Sequence, residues 1–191
     1  GARPIIAFLM LHGCRPGEAR ALKVKHVDIV KRTIRISSTF SNTEIREKRK
    51  GRGARALEIP IHPEMLEHFE ERVKNHPEAF IFVNPHTGSH YTSSSFRRVW
   101  LKARTNAKLP KAIRCYDATR HSLGSQLANA GESIFMISKI LGHSSVKMTE
   151  KYTHKNIEAL RATLSKLSLH KKEADVVKLP DREQTVNKQN S

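Results

Sequence analysis

Cysteine is scarce in this chain: Cys14 and Cys115 are the only two among 191 residues. They form no C-x-x-C pair, which argues against a disulfide scaffold and a cysteine zinc site and fits a reducing cytosol. Long hydrophobic runs are lacking too. The apolar stretch at residues 5–11, IIAFLML, falls far short of the ~18 residues a membrane helix needs. The opening segment has no basic leader followed by a small-residue cleavage site, so it does not read as a secretory signal. Nine glycines and eight prolines exclude a collagen-like repeat. Aromatic residues make up only 6%. A hydrophobic content of 38% is low but can still supply a core. The length fits one domain, or one domain with an appendage. No metal and no cofactor are expected, although the chain holds eleven histidines.

Acidic residues are also in short supply, 18 against 35 Lys and Arg, which leaves a net charge of +17. So large a surplus repels itself and points to a polyanionic partner. Nucleic acid is the usual one, because neutralised phosphates release counterions. An acidic membrane is the rival, but no amphipathic basic helix with an exposed aromatic face is present. The surplus does not come from the tail. Lys171, Lys172, Lys178, Arg182 and Lys188 there nearly cancel against Glu173, Asp175, Asp181 and Glu183.

Residues 4–12 read as a buried helix that Gly13 stops, and Pro16 starts a second helix. Residues 33–38 (TIRISS) and 56–61 (ALEIPI) read as strands. Between them, residues 46–55 (REKRKGRGAR) hold six basic residues, one acidic residue and two glycines, the composition of a mobile hairpin loop. A helix is predicted from His62 to about Asn75, a short strand over 80–83 (FIFV), and a helix capped by Thr92 or Ser93. From Thr119 onward the pattern is helical, over roughly 119–130, 133–141, 146–152 and 156–168. The last twenty or so residues lack periodicity and read as frayed. The predicted fold is α+β, mostly helical with a small antiparallel sheet.

Four short segments carry potential chemistry. Arg15 sits in the turn Gly13-Cys14-Arg15-Pro16-Gly17-Glu18. Arg120 sits in Thr119-Arg120-His121-Ser122. His143 follows a helix end in Leu141-Gly142-His143-Ser144, and Tyr152 comes nine positions later in Lys151-Tyr152-Thr153-His154. In this order the four resemble the boxes of the tyrosine recombinase, or phage integrase, family, and the resemblance covers residues 1–168. The residue types suit phosphate chemistry. Breaking a phosphodiester passes through a state with extra negative charge on the non-bridging oxygens. Planar guanidinium forks answer that charge bidentately. A phenol becomes a nucleophile once its proton, of pKa ~10, is removed. The leaving 5′-oxygen needs a proton, which a desolvated lysine can supply.

The resemblance implies a role for each residue. Arg15 and Arg120 would clamp the scissile phosphate, His143 would hydrogen-bond one of its oxygens, and Tyr152 would attack phosphorus to give a 3′-phosphotyrosyl link. The family's lysine lies on a hairpin after the first arginine. Lys50 is the choice here, with Lys48 in reserve, and Arg49, Arg52 and Arg55 of the same loop would meet the DNA backbone. Glu18 would orient Arg15. In one respect the chain departs from the family: Asp117 stands where a histidine usually precedes the second arginine by three. Asp117 would either accept the nucleophile's proton or cap the helix beginning near Thr119, the second being slightly favoured. His121 reads as a structural hydrogen-bonding residue.

The implied partner is double-stranded DNA, bound by a homo-oligomer, a tetramer, with no membrane involved. The implied place is the cytoplasm, at the nucleoid. Residues 1–168 would be the catalytic domain and 169–191 a tail, the family's N-terminal DNA-binding domain being absent from the chain. Two other functions fit less of the pattern. Residues 123–143 also resemble a helix-turn-helix, which would make the chain a non-catalytic DNA-binding module. A type IB topoisomerase shares the same chemistry.

Overall fold

The structure, a computed structural model, describes residues 3–41, 44–46, 56–143 and 146–149. Helix α1 (Arg3–His12) turns Ile5, Phe8, Leu9 and His12 to one side and buries them, while Met10 faces out. That spacing is one face of a helix. Gly13, with φ of +62°, ends α1 in the left-handed conformation and donates its N–H to the Leu9 carbonyl. Pro16 then opens α2 (Pro16–Arg20). Both helices follow the sequence prediction.

Strands β1 (Val27–Asp28) and β2 (Thr33–Ile36) pair antiparallel, and β3 (Thr39–Ser41) pairs antiparallel with β4 (Glu44–Arg46). Strand β5 (Leu57–Pro60) lies against β2, giving the order β1-β2-β5 for the larger sheet. Ile34 pairs with Ile59 on the buried side, while Arg35 faces Glu58 across the exposed side. This alternation is what the sequence pattern reported. The predicted strand 33–38 stops at Ile36, and the β3–β4 hairpin was not predicted at all. Its strands are three residues each and too short to show a period. Of the basic loop 46–55, only Arg46 lies within the described residues.

A 3₁₀ turn (Pro63–Met65) leads into α3 (Leu66–Arg72). The helix ends at Arg72 and does not reach Asn75, because the Asn75 side chain and N–H both bond the Arg72 carbonyl. The predicted strand 80–83 is not one. It makes only isolated bridges, Lys23 with Phe80 and Val83 with His90. Ile81 and Phe82 are both buried. The apolar run therefore marked burial and not a ladder. Helix α4 (Ser93–Asn106) starts on the Thr92 hydroxyl, which accepts from the Ser95 N–H at 3.1 Å, and it buries Phe96 and Trp100.

The helix predicted from Thr119 begins earlier, with helical bonding from residue 115. It passes through a π turn (Asp117–His121) before α5 (Ser122–Asn129). Helix α6 (Ile134–Leu141) is capped by the Ser133 hydroxyl and is followed by a 3₁₀ turn (Val146–Met148). The rest of the predicted helix 146–152, the helix 156–168 and the expected boundary at 168/169 lie outside the described residues.

The main core joins α1, the larger sheet, α3 and the 80–83 segment around Ile5, Phe8, Leu9, Ile34, Phe69 and Ile81. A smaller cluster gathers Ile137 and Leu141 of α6 against Leu123 and Leu127 of α5. Helix α2 is held against the β3–β4 hairpin by close backbone approach. A Cβ at Gly17 would stand 2.7 Å from the Thr39 hydroxyl oxygen and 2.8 Å from the Phe40 carbonyl oxygen. The hydroxyl can rotate away, but the carbonyl cannot. Gly17→Ala gains up to ~1 kcal/mol of helix propensity and costs about 1–3 kcal/mol of overpacking. Overpacking wins, and urea unfolding should show a net loss of stability.

Candidate functional site

Two turns and two helix ends meet around one buried guanidinium. Arg120 is 1% exposed. Its Nη1–H donates to the Gly13 carbonyl at 2.7 Å, and its Nη2–H donates to the Leu141 carbonyl at 2.6 Å. Gly13 lies two residues before Arg15, and Leu141 lies two residues before His143. One side chain thus fastens together the segments that carry the other two candidates. The π turn is what allows it. An extra residue in the turn shifts the helical face, so that Thr119 and Arg120 are buried in succession. Thr119 compensates by donating its hydroxyl to the Cys115 carbonyl at 2.8 Å.

The Gly13 turn fits against the same helices. A Cβ there would stand 2.7 Å from Leu141 Cδ2 and 2.9 Å from Leu123 Cδ2. His12, just before it, is 4% exposed. Its Nδ1–H donates to the Phe8 carbonyl at 3.2 Å, and its Nε2 accepts from the His62 N–H at 3.0 Å. The ring is therefore neutral, and burial pushes its pKa down to about 4.

Arg15 stands at the N-cap of α2 with its side chain 29% exposed. The Glu18 carboxylate holds it twice, accepting from the Arg15 N–H at 2.9 Å and from Nη1–H at 3.0 Å. A carboxylate in the first turn also meets the positive end of the helix. Burial lowers the pKa of Arg120, and the nearby charge of Arg15 lowers it further, while Tyr116 and Glu18 act in the opposite sense. An anion brought to these two mutually repelling cations, one of them fully buried, would relieve that repulsion.

His143 follows Gly142, whose φ of +59° closes α6. The Gly142 N–H bonds the Lys139 carbonyl and the His143 N–H bonds the Ser138 carbonyl, a paired arrangement that satisfies the end of the helix. The His143 Nδ1 lies 2.8 Å from the Thr149 hydroxyl.

Asp117 is turned to another task. Its carboxylate accepts from the Arg114 N–H at 3.3 Å and from Arg114 Nε–H at 2.8 Å. The Arg114 hydrogen bonds hold its pKa below the usual carboxylate range, which makes it a poor proton acceptor. It reaches back to the start of the helix at 114, so the cap lies several residues before the expected Thr119. His121 stands 3.8 Å from Asp117 and edge-on to the Tyr116 ring at 4.5 Å.

Arg15, Glu18 and Arg120 are thus brought together, with His143 two residues from the Leu141 carbonyl that Arg120 bonds. Lys48, Arg49, Lys50, Arg52, Arg55 and Tyr152 lie outside the described residues. Sequence reasoning missed Thr149, Tyr116 and His12. Tyr116 stands beside the T-R-H box, its ring 5.9 Å from the Arg120 guanidinium carbon, but nothing in the sequence separates it from a packing tyrosine. His86 and His90 are four apart in sequence, yet they flank a turn and do not share a helix face. Among the described residues no three His, Cys, Asp or Glu gather as metal ligands, and no helix is long and apolar enough to cross a membrane.

Comparison with known proteins bears on the family and the fold. The tyrosine recombinase XerC of Oceanobacillus iheyensis is 28% identical over 164 residues, which are 85% of this chain and 52% of that protein. XerC of Bifidobacterium longum (strain DJO10A) is 27% identical over 161 residues, 82% of this chain and 44% of the other. The chain spans about half the length of the curated relatives it matches. Among solved structures, the Tn1549 transposon integrase in complex with circular intermediate DNA superposes with a TM-score of 0.68 at 27% identity. That match covers 86% of this chain and 58% of the other. XerH bound to its difH substrate, at 20% identity and a TM-score of 0.63, shares the fold. The model of the phage integrase family matches residues 2–187. Matched by that model over nearly its whole length, and sharing the α+β architecture of these structures, the chain belongs to the phage integrase family.

Proposed function

We propose that this chain is the catalytic part of a site-specific DNA recombinase that cuts and rejoins duplex DNA through a covalent 3′-phosphotyrosyl intermediate. The observation that carries this reading is the pair of hydrogen bonds that Arg120 donates to the Gly13 and Leu141 carbonyls. It ties the segments that carry Arg15 and His143 to Arg120, which supports reading the three as partners on one phosphate. Residues 1–168 are the catalytic domain in this reading, and the partner is double-stranded DNA bound by a tetramer. The cationic loop 46–55 and the +17 charge supply affinity for the phosphate backbone.

In the reaction, the Tyr152 Oη gives up its proton to solvent water as it attacks the scissile phosphorus and forms a new P–O bond. The P–O bond to the 5′-oxygen breaks, and that oxygen takes a proton from Lys50, or from Lys48 in its place. Arg15, fixed by Glu18, and Arg120 hold the non-bridging oxygens as charge builds on them. His143 donates a further hydrogen bond. The ester to tyrosine conserves the bond energy, so the reverse attack by a 5′-hydroxyl rejoins the strand without nucleotide. A non-catalytic helix-turn-helix module is not favoured. Helices α5 and α6 do flank a short turn at Gly131, but such a module needs neither the buried fork of Arg120 nor Tyr152. A relaxing topoisomerase is not favoured either, because the curated relatives are named recombinases.

A duplex nicked near the cleavage site loses its short 5′ fragment after attack and traps the adduct. Wild-type protein should form a denaturation-resistant protein–DNA band with a substrate from its own target element, and Tyr152→Phe should abolish it while retaining DNA binding. An adduct that survives Tyr152→Phe would overturn the assignment of the nucleophile.

A further inference from the structure

Thr149 is fully buried, at 0% exposed, although it is polar and belongs to no regular strand or helix. A buried hydroxyl needs a partner or costs free energy. Its Oγ1 lies 2.8 Å from the Nδ1 of His143, six residues back. His143 itself is held at its backbone by the closure of α6 on Gly142. The backbone of His143 is therefore fixed by the helix end, and the ring is met on one nitrogen by Thr149. This is the arrangement by which one imidazole nitrogen sets the state of the other.

We infer that Thr149 is a positioning residue: its hydroxyl donates to His143 Nδ1 and keeps the neutral ring protonated at Nε2. The inference rests on the phosphate-binding role proposed for His143 above. A neutral imidazole has one N–H. To donate from Nε2 to an anionic oxygen without first taking up a proton, the ring must receive a hydrogen bond at Nδ1. A hydroxyl can supply it. On a phosphate that Arg15 and Arg120 clamp in the proposed mechanism, sparing His143 a charge avoids further like-charge repulsion. Thr149 also precedes Tyr152 by three residues, so the same short segment that carries the proposed nucleophile orients the histidine.

Two measurements test this on the whole 191-residue chain. The first needs no DNA. With ¹⁵N-labelled histidine, and the signal assigned by its loss in His143→Gln, wild-type protein above the imidazole pKa should show His143 with Nε2 protonated and Nδ1 unprotonated. Thr149→Val should give a mixture of both neutral forms. A wild-type ring protonated at Nδ1, donating to Thr149, would overturn the inference, as would a Thr149→Val spectrum identical to wild type. The second measures single-turnover adduct formation on the nicked duplex. Thr149→Val should slow it ~10–100-fold, the range found when a hydrogen-bonding partner behind a working histidine is lost. Thr149→Ser, which keeps the hydroxyl, should restore the rate to within a few-fold. Equal rates for valine and wild type, or no recovery with serine, would count against it. If wild-type protein forms no adduct, the proposed function fails and the ¹⁵N spectrum still decides the role of Thr149.

Discussion

Arg120→Lys is expected to slow adduct formation by ~10²–10³-fold, the loss usual for removing a preorganised donor from a charge-stabilising site. The same change should lower stability by about 1–3 kcal/mol, the cost of leaving one buried acceptor unmade. Both effects follow from geometry. Lysine preserves the charge but concentrates it on one nitrogen at the end of a flexible stem. A single ammonium cannot reproduce the fork that reaches the Gly13 and Leu141 carbonyls from two nitrogens. One carbonyl then loses its partner in a site that is 1% exposed at Arg120. Thermal unfolding should fall by roughly 2–4 °C for each kcal/mol in a chain of this size. Arg15→Lys is the informative contrast. Arg15 is part-exposed and its ammonium replacement can still meet Glu18, so activity should fall while melting stays near wild type. If Arg120→Lys melts like wild type, the bridge between the boxes is not structural and the site does not depend on it.

How much of this was legible beforehand depends on the range of the interactions. Helix α1, its stop at Gly13, the start of α2 at Pro16 and the strands around Ile34 and Ile59 all follow from local chemistry, and the sequence states them directly. The end of α6 at Gly142 is of the same kind. The β3–β4 hairpin was missed because its stability is not local. Phe40 stacks on His90, ring centroids 4.6 Å apart, and the Arg20 guanidinium lies over the Phe40 ring at 4.9 Å, and neither contact lies within reach of a sequence window. The 80–83 segment misled for the opposite reason. Its apolar residues are buried by α1 and α3, which satisfies the hydrophobic pattern without a strand partner. At the site, the motifs named Arg15, Arg120 and His143, but no motif shows what each side chain bonds. The bridge from Arg120 to Gly13 spans 107 residues. Thr149 could not be told from the serines and threonines around it, since only burial distinguishes it. Asp117 was legible as a capping residue, but at the wrong helix start, because the π turn shifts the helix register before Thr119.

Lowering the pH from 7 to 4 should remove about 3 kcal/mol of stability through His12 alone, since each unit of pKa difference is worth about 1.4 kcal/mol. The folded-state pKa of this ring is depressed from 6.5 to about 4. The sign follows from proton counting. Between those values the unfolded chain binds a proton that the folded chain refuses, so stability falls as pH falls through that window. Below pH 4 the folded ring is charged as well and the loss is complete. The structural cause is specific. Protonation at Nε2 would turn the acceptor of the His62 N–H into a donor facing a donor, in a place 4% exposed and stacked on Phe8 at 4.5 Å. Because His12 precedes Gly13, whose carbonyl seats Arg120, the same event loosens the anchor of the candidate site. His12→Gln removes the titration. The variant should be less stable than wild type at pH 7, and the difference between them should shrink by about 3 kcal/mol on going to pH 4. Urea unfolding at several pH values measures that difference directly, and titrations that run parallel for the two proteins would mean that His12 is charged, or freely hydrated, in the folded state.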